Sequence, residues 1–539
     1  MEKQNYTDLE PLMINLPLVT QILPAPSRGA ARRAAMSTTR KKVVLFYPAY
    51  DGPALGPPLC ILALAAPLLN HGFEVVIIDA AINADAPQRI LRECSDALCL
   101  GISVLTGPMI TAALNIARLV KAALPDLPVV FGGWHPTLTP EQTLQNELVD
   151  VVVRGPGEFT LLEMAQRYQS GEGLDGVTGL SYKRNGTIIH NLERSVARLM
   201  DLPAPAFHLA DFDAYERVSG IRTLTYATSV GCPYACNYCT DMVFYHRRFN
   251  AYSAEHVVEE LIDLVTKYRI EEVALLDSNF PVDVKRAVAI ARGIYESGVR
   301  FTWTFQASTD FLSRMSDDEV RMMGASGVRF MGFGTESTSE SVLKLMNKRH
   351  QRLGEMYETA RKAELGGIRV SFNLIFGYPS EKEKDRVETL QTMNDIARKH
   401  RNVSFSPNIF TPYPGIPIWP QLKEMGVREP ASLEEWAGLP LGKNVLPWLR
   451  GAELRRLERM LDYFMANNNI RNTMQRTKVA GRFLNALLSA PMKWRMRSKV
   501  FFFPWEVWLA RATDRVVSRR SLITGVPLPT KVAGSLLNG

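Results

Sequence analysis

The chain has no apolar run of the roughly 18 residues that a membrane-spanning helix needs. Its longest, Pro57 to Leu69, suits a buried helix instead. The first 40 residues are Pro-rich and then Ala/Arg-rich, and lack the apolar core of a secretory signal. They read as a disordered extension, with Met36 as an alternative start just before the first clear strand. Cysteine is scarce, six among 539 residues, and three of the six are clustered, which argues against a secreted disulfide scaffold. A general excess of basic charge is also missing. The net charge is +8, yet the stretch from Arg471 to Gly539 alone carries thirteen Lys/Arg against two Asp/Glu, so the remainder is near −3. Such a length accommodates about three domains.

What is present begins with the run GCPYACNYCTD, where Cys232, Cys236 and Cys239 are spaced Cys-x3-Cys-x2-Cys. Zinc sites normally take four ligands, often as paired Cys-x2-Cys units. Three thiolates in one tight loop leave an iron–sulfur cube one ligand short. The loop resembles that of the radical S-adenosylmethionine (SAM) enzymes. The resemblance implies a 4Fe–4S cluster whose open iron takes SAM's amino and carboxylate groups. It also implies an external one-electron donor of flavodoxin or ferredoxin type. By the same resemblance Gly231 and Pro233 shape the turn, while Asn237 and Tyr238 stand where that family places adenine contacts. An open cluster needs reducing surroundings, so the expected location is the cytoplasm.

Residues 41–170 alternate apolar Val/Ile-rich runs with helical stretches: 43–47, 74–79, 97–103, 128–133 and 150–155 read as strands. That pattern predicts a doubly wound, Rossmann-like parallel sheet, with ligands at the strands' carboxyl ends. Ser103 and Leu105 end the third run and Gly132-Gly133 the fourth, with 26 residues between Leu105 and Gly132. This Ser-x-Leu…Gly-Gly pair is similar to cobalamin-binding domains, in which the serine and glycines line the path of the nucleotide tail. Those domains carry Asp-x-His-x-x-Gly after the first strand. Here the stretch is Asp51-Gly52-Pro53-Ala54-Leu55-Gly56, and Pro53 stands where the histidine would be. Proline cannot ligate cobalt, so the resemblance implies cobalamin without a histidine below the metal. GGWHPTLTPE (132–141) and VVVRGPGE (151–158) look like the same family's turns, and His135 reads as a turn residue lining the corrin edge. Cys60, Cys94 and Cys99 fall on two helices and a buried strand and read as packed thiols.

Residues 171–222 read as a linker with a hairpin at Arg184-Asn185-Gly186. Six strand–helix units follow, with strands near 223–229, 271–276, 301–306, 328–334, 368–376 and 403–410. Six units predict a partial (β/α) barrel over 223–425, similar to the radical SAM core, with reactive groups at the strands' carboxyl ends. Those ends supply the cluster loop, Asp277, Gln306, Glu336, Asn373 and Thr411–Gly415. The resemblance gives Asp277 to SAM's amino group, Glu336 to its ribose or carboxylate, and Gln306 to the same site. GFGTESTSESVLKLMNK and FTPYPGIPIW look like cobalamin-dependent radical SAM enzymes of the class B methyltransferase type. No residue is singled out as a catalytic acid or base.

Residues 426–539 read as a helical, basic C-terminal region interleaved with Trp494, Phe501, Phe502, Phe503, Trp505 and Trp508. Three roles stand open: a helical lid on the barrel mouth, an anionic lipid surface, or nucleic acid. FFFPWEVWLA is too apolar for a phosphate groove. The resemblance as a whole implies methylation of an unactivated carbon, here of a hydrophobic substrate such as a lipid, polyprenoid or tetrapyrrole. The enzyme would act in the cytoplasm, peripheral on the inner face of the membrane. Alternatives are a cyclisation or rearrangement on the same cofactors, methylthiolation of RNA using a second cluster, and a cobalamin-binding regulator without catalysis.

Overall fold

The computed structural model describes residues 41–49, 56–352, 354–438 and 446–474, with the short segments 490–492, 494–495 and 505–509. The expected extension 1–40, Asp51, Pro53 and most of the basic tail lie outside the described residues.

The first sheet has seven strands in the order β2-β1-β3-β4-β5-β6-β7. Its parallel part is β1 (Lys42–Tyr47), β2 (Glu74–Asp79), β3 (Ala97–Ser103), β4 (Val129–Gly132) and β5 (Val151–Val153). These are the five apolar runs of the sequence. On β1, Val43 and Leu45 enter one core while Val44 and Phe46 enter another. Burial on both faces is why the strands read as continuous Val/Ile runs. The order 2-1-3-4-5 reverses direction between β1 and β3, the place where such sheets bind ligands.

The expected hairpin forms as β6 (Leu180–Arg184) and β7 (Thr187–His190), and it extends the first sheet instead of lying free of it. Asn185 and Gly186 have φ of 51° and 79°, the paired positive values of a tight two-residue hairpin turn. Pro57–Leu69 becomes the helix Leu59–Asn70, with Ile61, Leu62, Ala65, Ala66, Pro67 and Leu68 buried. Among the described residues no helix is long and apolar enough to cross a membrane.

The second sheet contains all six expected strands: β8 (Thr223–Tyr226), β11 (Glu272–Leu275), β12 (Thr302–Ser308), β13 (Val328–Glu336), β14 (Arg369–Phe376) and β15 (Val403–Ile409). All are parallel, in the order β15-β14-β13-β12-β11-β8. β8 and β15 are the two edges, so this is an open partial barrel. Past β8 the chain leaves the sheet and forms a two-strand ribbon, β9 (Ser229–Val230) with β10 (Asn250–Ala251). The cysteine loop is the connection inside that ribbon.

One apolar core runs from the first sheet into the second, from Val44 and Ile102 to Leu224 and Phe372. Polar contacts fasten the two halves. The Tyr215 hydroxyl donates to Asp79, and the Thr225 hydroxyl to the Pro57 carbonyl. The short helix Leu433–Ala437 docks on the first half: Trp436 donates its indole N–H to Gln142 at 2.6 Å, and Asn146 donates to Glu434 at 2.7 Å.

Candidate active site

At the carboxyl ends of the second sheet lies a cavity of about 350 Å³. Cys232, Cys236 and Cys239 line it together with Tyr238, Gln306 and Glu336, so one cavity collects residues from two strand ends and the loop. Asp241, Ser278, Asn279, Lys348 and Asn373 also line it. Ile375, Ile409, Phe410 and Tyr413 form an apolar part of its wall.

The loop's course follows from a few residues. Gly231 has φ +74°, and a Cβ there would lie 2.0 Å from the Arg248 carbonyl oxygen. Only glycine allows the ribbon to close so tightly over the loop. Asn237 is a clamp. Its backbone N–H donates to Met346 O at 3.1 Å, its Nδ2 donates to Leu345 O at 2.9 Å, and its Oδ1 accepts from the Tyr378 hydroxyl at 2.6 Å. Asn347 donates to Ala235 O at 2.7 Å, and Tyr234 stacks on His350 with ring centroids 3.6 Å apart. Of the two residues between the ligands, Tyr238 faces the cavity and Asn237 braces the loop.

Burial pushes the Cys232 thiol up to about 11 and raises Cys236 and Cys239 as well. Three thiols that resist ionisation, one buried and two half-buried, are a poor bare surface and a good seat for a group that supplies positive charge. Among the described residues no trio of His, Cys, Asp or Glu is drawn together to hold a metal ion. A single zinc would need its sulfur ligands at roughly 2.3 Å. A four-iron cube offers each cysteine a different iron, so its ligands stand further apart. The donor set fits the cube.

Lys348 adds a buried cation. Its ammonium is 3.6 Å from Glu336 Oε1 and 3.4 Å from the Tyr238 hydroxyl oxygen. Burial raises the Glu336 carboxyl despite Lys348. Burial alone would lower Lys348, but Glu336 and the loop thiols outweigh it and hold it above the usual lysine range. Glu336 sits at φ +61°, a left-handed conformation for a non-glycine residue, where the register of β13 with β14 shifts. Gln306 has room for its amide because residue 332 is glycine: a Cβ there would lie 2.3 Å from it.

Asp277 is not among the cavity-lining residues. It is 2% exposed, and its carboxylate accepts from Thr228 N at 3.0 Å, Thr228 Oγ at 2.6 Å and Ser229 Oγ at 2.5 Å. These bonds fix the bend between β8 and β9 that launches the loop. Its neighbours Ser278 and Asn279 take the cavity positions. Sequence reasoning passed over Asp241 and Lys348, although both stand inside the motif runs already singled out, two residues after Cys239 and at the end of GFGTESTSESVLKLMNK.

In the first half, Ser103 and Gly132 are register partners on adjacent strands. Gly133 has φ +92°, and a Cβ there would press to 3.1 Å on Ser103 Oγ and on the Val104 backbone. Ser103, Gly132 and Gly133 meet as a tight cradle at the strand ends, where a side chain at 133 would collide with Ser103 and Val104, and half-buried Leu105 lies just beyond it. The cradle fits a ligand tail passing close to backbone. Next to it, Trp134 packs on Phe244 with centroids 4.2 Å apart, joining the cradle's turn to the helix Asp241–Phe244 that follows the cluster loop.

His135 does not line a ligand edge. It is fully buried, with Thr106 Oγ at 3.0 Å from Nδ1 and Thr139 Oγ at 3.2 Å from Nε2. Cys60, Cys94 and Cys99 do not assemble: Cys60 is exposed beside Ser103, while Cys94 and Cys99 belong to different cores.

The two halves thus define a two-domain α/β protein in which a partial parallel barrel carries a three-cysteine loop beside a Rossmann-like sheet. Residues 49–165 match the B12 binding domain, and residues 226–393 the Radical SAM superfamily. The uncharacterized methyltransferase PH0819 of Pyrococcus horikoshii is 30% identical over 372 residues, 68% of this chain and 78% of that protein. The anaerobic magnesium-protoporphyrin IX monomethyl ester cyclase of Synechocystis sp. is 26% identical over 314 residues, 57% of this chain and 61% of that one. The solved structure of the cobalamin-dependent S-adenosylmethionine radical enzyme OxsB, with aqua-cobalamin and S-adenosylmethionine bound, shares the fold. Its TM-score is 0.67 at 17% identity, over 90% of this chain and 76% of that one. The chain belongs to the cobalamin-binding radical SAM family.

Proposed function

We propose that this protein is a cobalamin-dependent radical SAM C-methyltransferase whose substrate is hydrophobic. The observation that carries it is the joining of two sites: a three-cysteine loop opening on one cavity, and a Ser103/Gly132/Gly133 cradle tied to that loop through Trp134 and Phe244. Cys232, Cys236 and Cys239 hold a 4Fe–4S cluster; SAM shares the cavity; cobalamin occupies the cradle. When bound, these groups supply radical generation from SAM and a methyl group for a substrate carbon. The chain's own residues do the rest. Asn237, Tyr378 and Asn347 keep the loop rigid, Lys348 and Glu336 set the charge beside it, and Ile375, Ile409, Phe410 and Tyr413 offer an apolar wall to the substrate. Electrons come from an external flavodoxin- or ferredoxin-type donor.

The finer reading is that the substrate arrives from an anionic membrane surface touched by residues 471–539. Its support is the local +11 charge and the exposure of Trp494, Trp505 and Trp508, at 59%, 40% and 55%. Glu506, within the aromatic run, is fully buried and paired with Arg495. It supports a folded helical patch with tryptophans outward.

Methyl-labelled SAM, a one-electron donor and a host lipid extract form the test. Label should enter an extractable lipid with the wild-type enzyme and vanish with the triple Cys→Ala variant. A second reading, cyclisation, has the likeness to the Synechocystis cyclase behind it. It would yield 5′-deoxyadenosine and a changed substrate with no label. RNA methylthiolation loses its footing because Cys60, Cys94 and Cys99 are apart.

A further inference from the structure

Two acids line the cavity, Glu336 and Asp241. Glu336 has Lys348 and Tyr238. Asp241 is different. It is 7% exposed, and its Oδ1 accepts from the Ser278 hydroxyl at 2.5 Å. Its Oδ2 is buried and has no hydrogen-bond partner. A buried carboxylate oxygen without a donor is costly, and native structures rarely leave one so. The neighbouring acceptors already have donors: Asp277, behind the cavity wall, has Thr228 and Ser229, and Asn279 Oδ1 has the Ser308 N–H at 3.2 Å. Asp241 Oδ2 is therefore open to a donor brought by a group that fills the cavity.

On the reading that the cavity takes SAM, we propose that Asp241 Oδ2 accepts a hydrogen bond from SAM's α-amino group, with Ser278 fixing the carboxylate's orientation. Three considerations favour that group. The acceptor needs an N–H or O–H, and the sulfonium, though cationic, has neither. Asp241 stands two residues beyond Cys239, so its donor lies beside the cluster loop and away from the apolar wall of Ile375, Ile409 and Phe410. Asp277, the acid that sequence reasoning gave to the amino group, has its carboxylate filled. The amino-acid end of SAM is thus gripped from the cluster loop itself, and Ser278 ties that grip to the end of β11.

The test is binding to the reconstituted enzyme by calorimetry, with two probes and two variants. SAM has the amino group; 5′-methylthioadenosine shares the adenosyl part and lacks it. Asp241→Asn should weaken SAM by about 10- to 100-fold, the range for losing a hydrogen bond to a charged group. It should leave 5′-methylthioadenosine within about twofold. Ser278→Ala should weaken SAM alone by a smaller factor. Iron content, measured on each variant, should equal wild type. If Asp241→Asn weakens both probes alike, or neither, the assignment is overturned. If the wild-type enzyme binds 5′-methylthioadenosine but not SAM, the functional reading falls and takes this one with it.

Discussion

Lys348 and Glu336 form a buried ion pair, 3.6 Å between Nζ and Oε1, inside the cavity that the cluster cysteines line. Breaking a buried pair from one side leaves an uncompensated charge and costs about 3–5 kcal/mol. Lys348→Met should therefore lower the melting temperature sharply. Glu336→Gln added to Lys348→Met should recover much of the loss, because the stranded charge goes with it. Equal melting of the single and double variants would mean that the pair carries no coupling.

The loop makes its own prediction. Anaerobic reconstitution should give about four irons per chain, and the triple Cys→Ala variant almost none. Gly231→Ala should fail in the same way with every ligand intact, since its Cβ would meet the Arg248 carbonyl at 2.0 Å. An alanine variant that loads iron normally would show that the ribbon is looser than this contact implies.

Much of this was legible in the sequence, for identifiable reasons. Strands buried on both faces write themselves as Val/Ile runs, so all five parallel strands of the first sheet were readable; the six of the second, such as TWTFQAS and VSFSPNI, are less apolar and were readable as repeated strand–helix units. Asn185-Gly186 announced its turn. Cys232, Cys236 and Cys239 are close in sequence, so their spacing alone carried the chemistry. Asp277 was misread because its partners, Thr228 and Ser229, lie about fifty residues away on the neighbouring strand's bend. Lys348 and Asp241 were visible as letters, but only the fold reveals that one is paired and the other is not. His135 looked like a turn residue because its two threonine partners are ordinary in sequence: Thr139 stands four residues on, and Thr106 is brought to it by the pairing of β3 with β4.

The cobalt prediction draws on His135 too. Both its nitrogens are taken by threonines and it has no exposed surface. With Pro53 at the position of the usual histidine, the spectrum of bound Co(II) should lack the splitting of an axial nitrogen. Seeing that splitting would refute the claim, and a protein that takes up no cobalamin would remove its basis.

The tail is tested with vesicles. Each Lys or Arg near an anionic surface contributes about 1 kcal/mol of attraction, and salt screens it within a Debye length. The full chain should float with vesicles containing anionic lipid, less so in high salt, and fail to float without residues 471–539. Replacing Trp494, Trp505 and Trp508 by alanine should weaken flotation at constant charge. Indifference to anionic vesicles at low salt would leave the tail as a lid.

The last prediction concerns pH. Burial lowers His135 from 6.5 to about 3, so the folded protein keeps it neutral where the unfolded chain would protonate it. The unfolded state then binds more protons below pH 6.5, and stability falls as pH falls. The loss starts near 6.5 and grows until pH 3. From pH 7 to pH 5 the residue's share is about 2 kcal/mol, by linkage from the two values. His135→Gln keeps a hydrogen-bonding side chain between Thr106 and Thr139 but cannot titrate. Thermal melts of both proteins at pH 7 and pH 5 isolate the effect. The variant should start less stable and lose less on acidification. Parallel losses in the two proteins would mean that His135 is not held neutral by its burial.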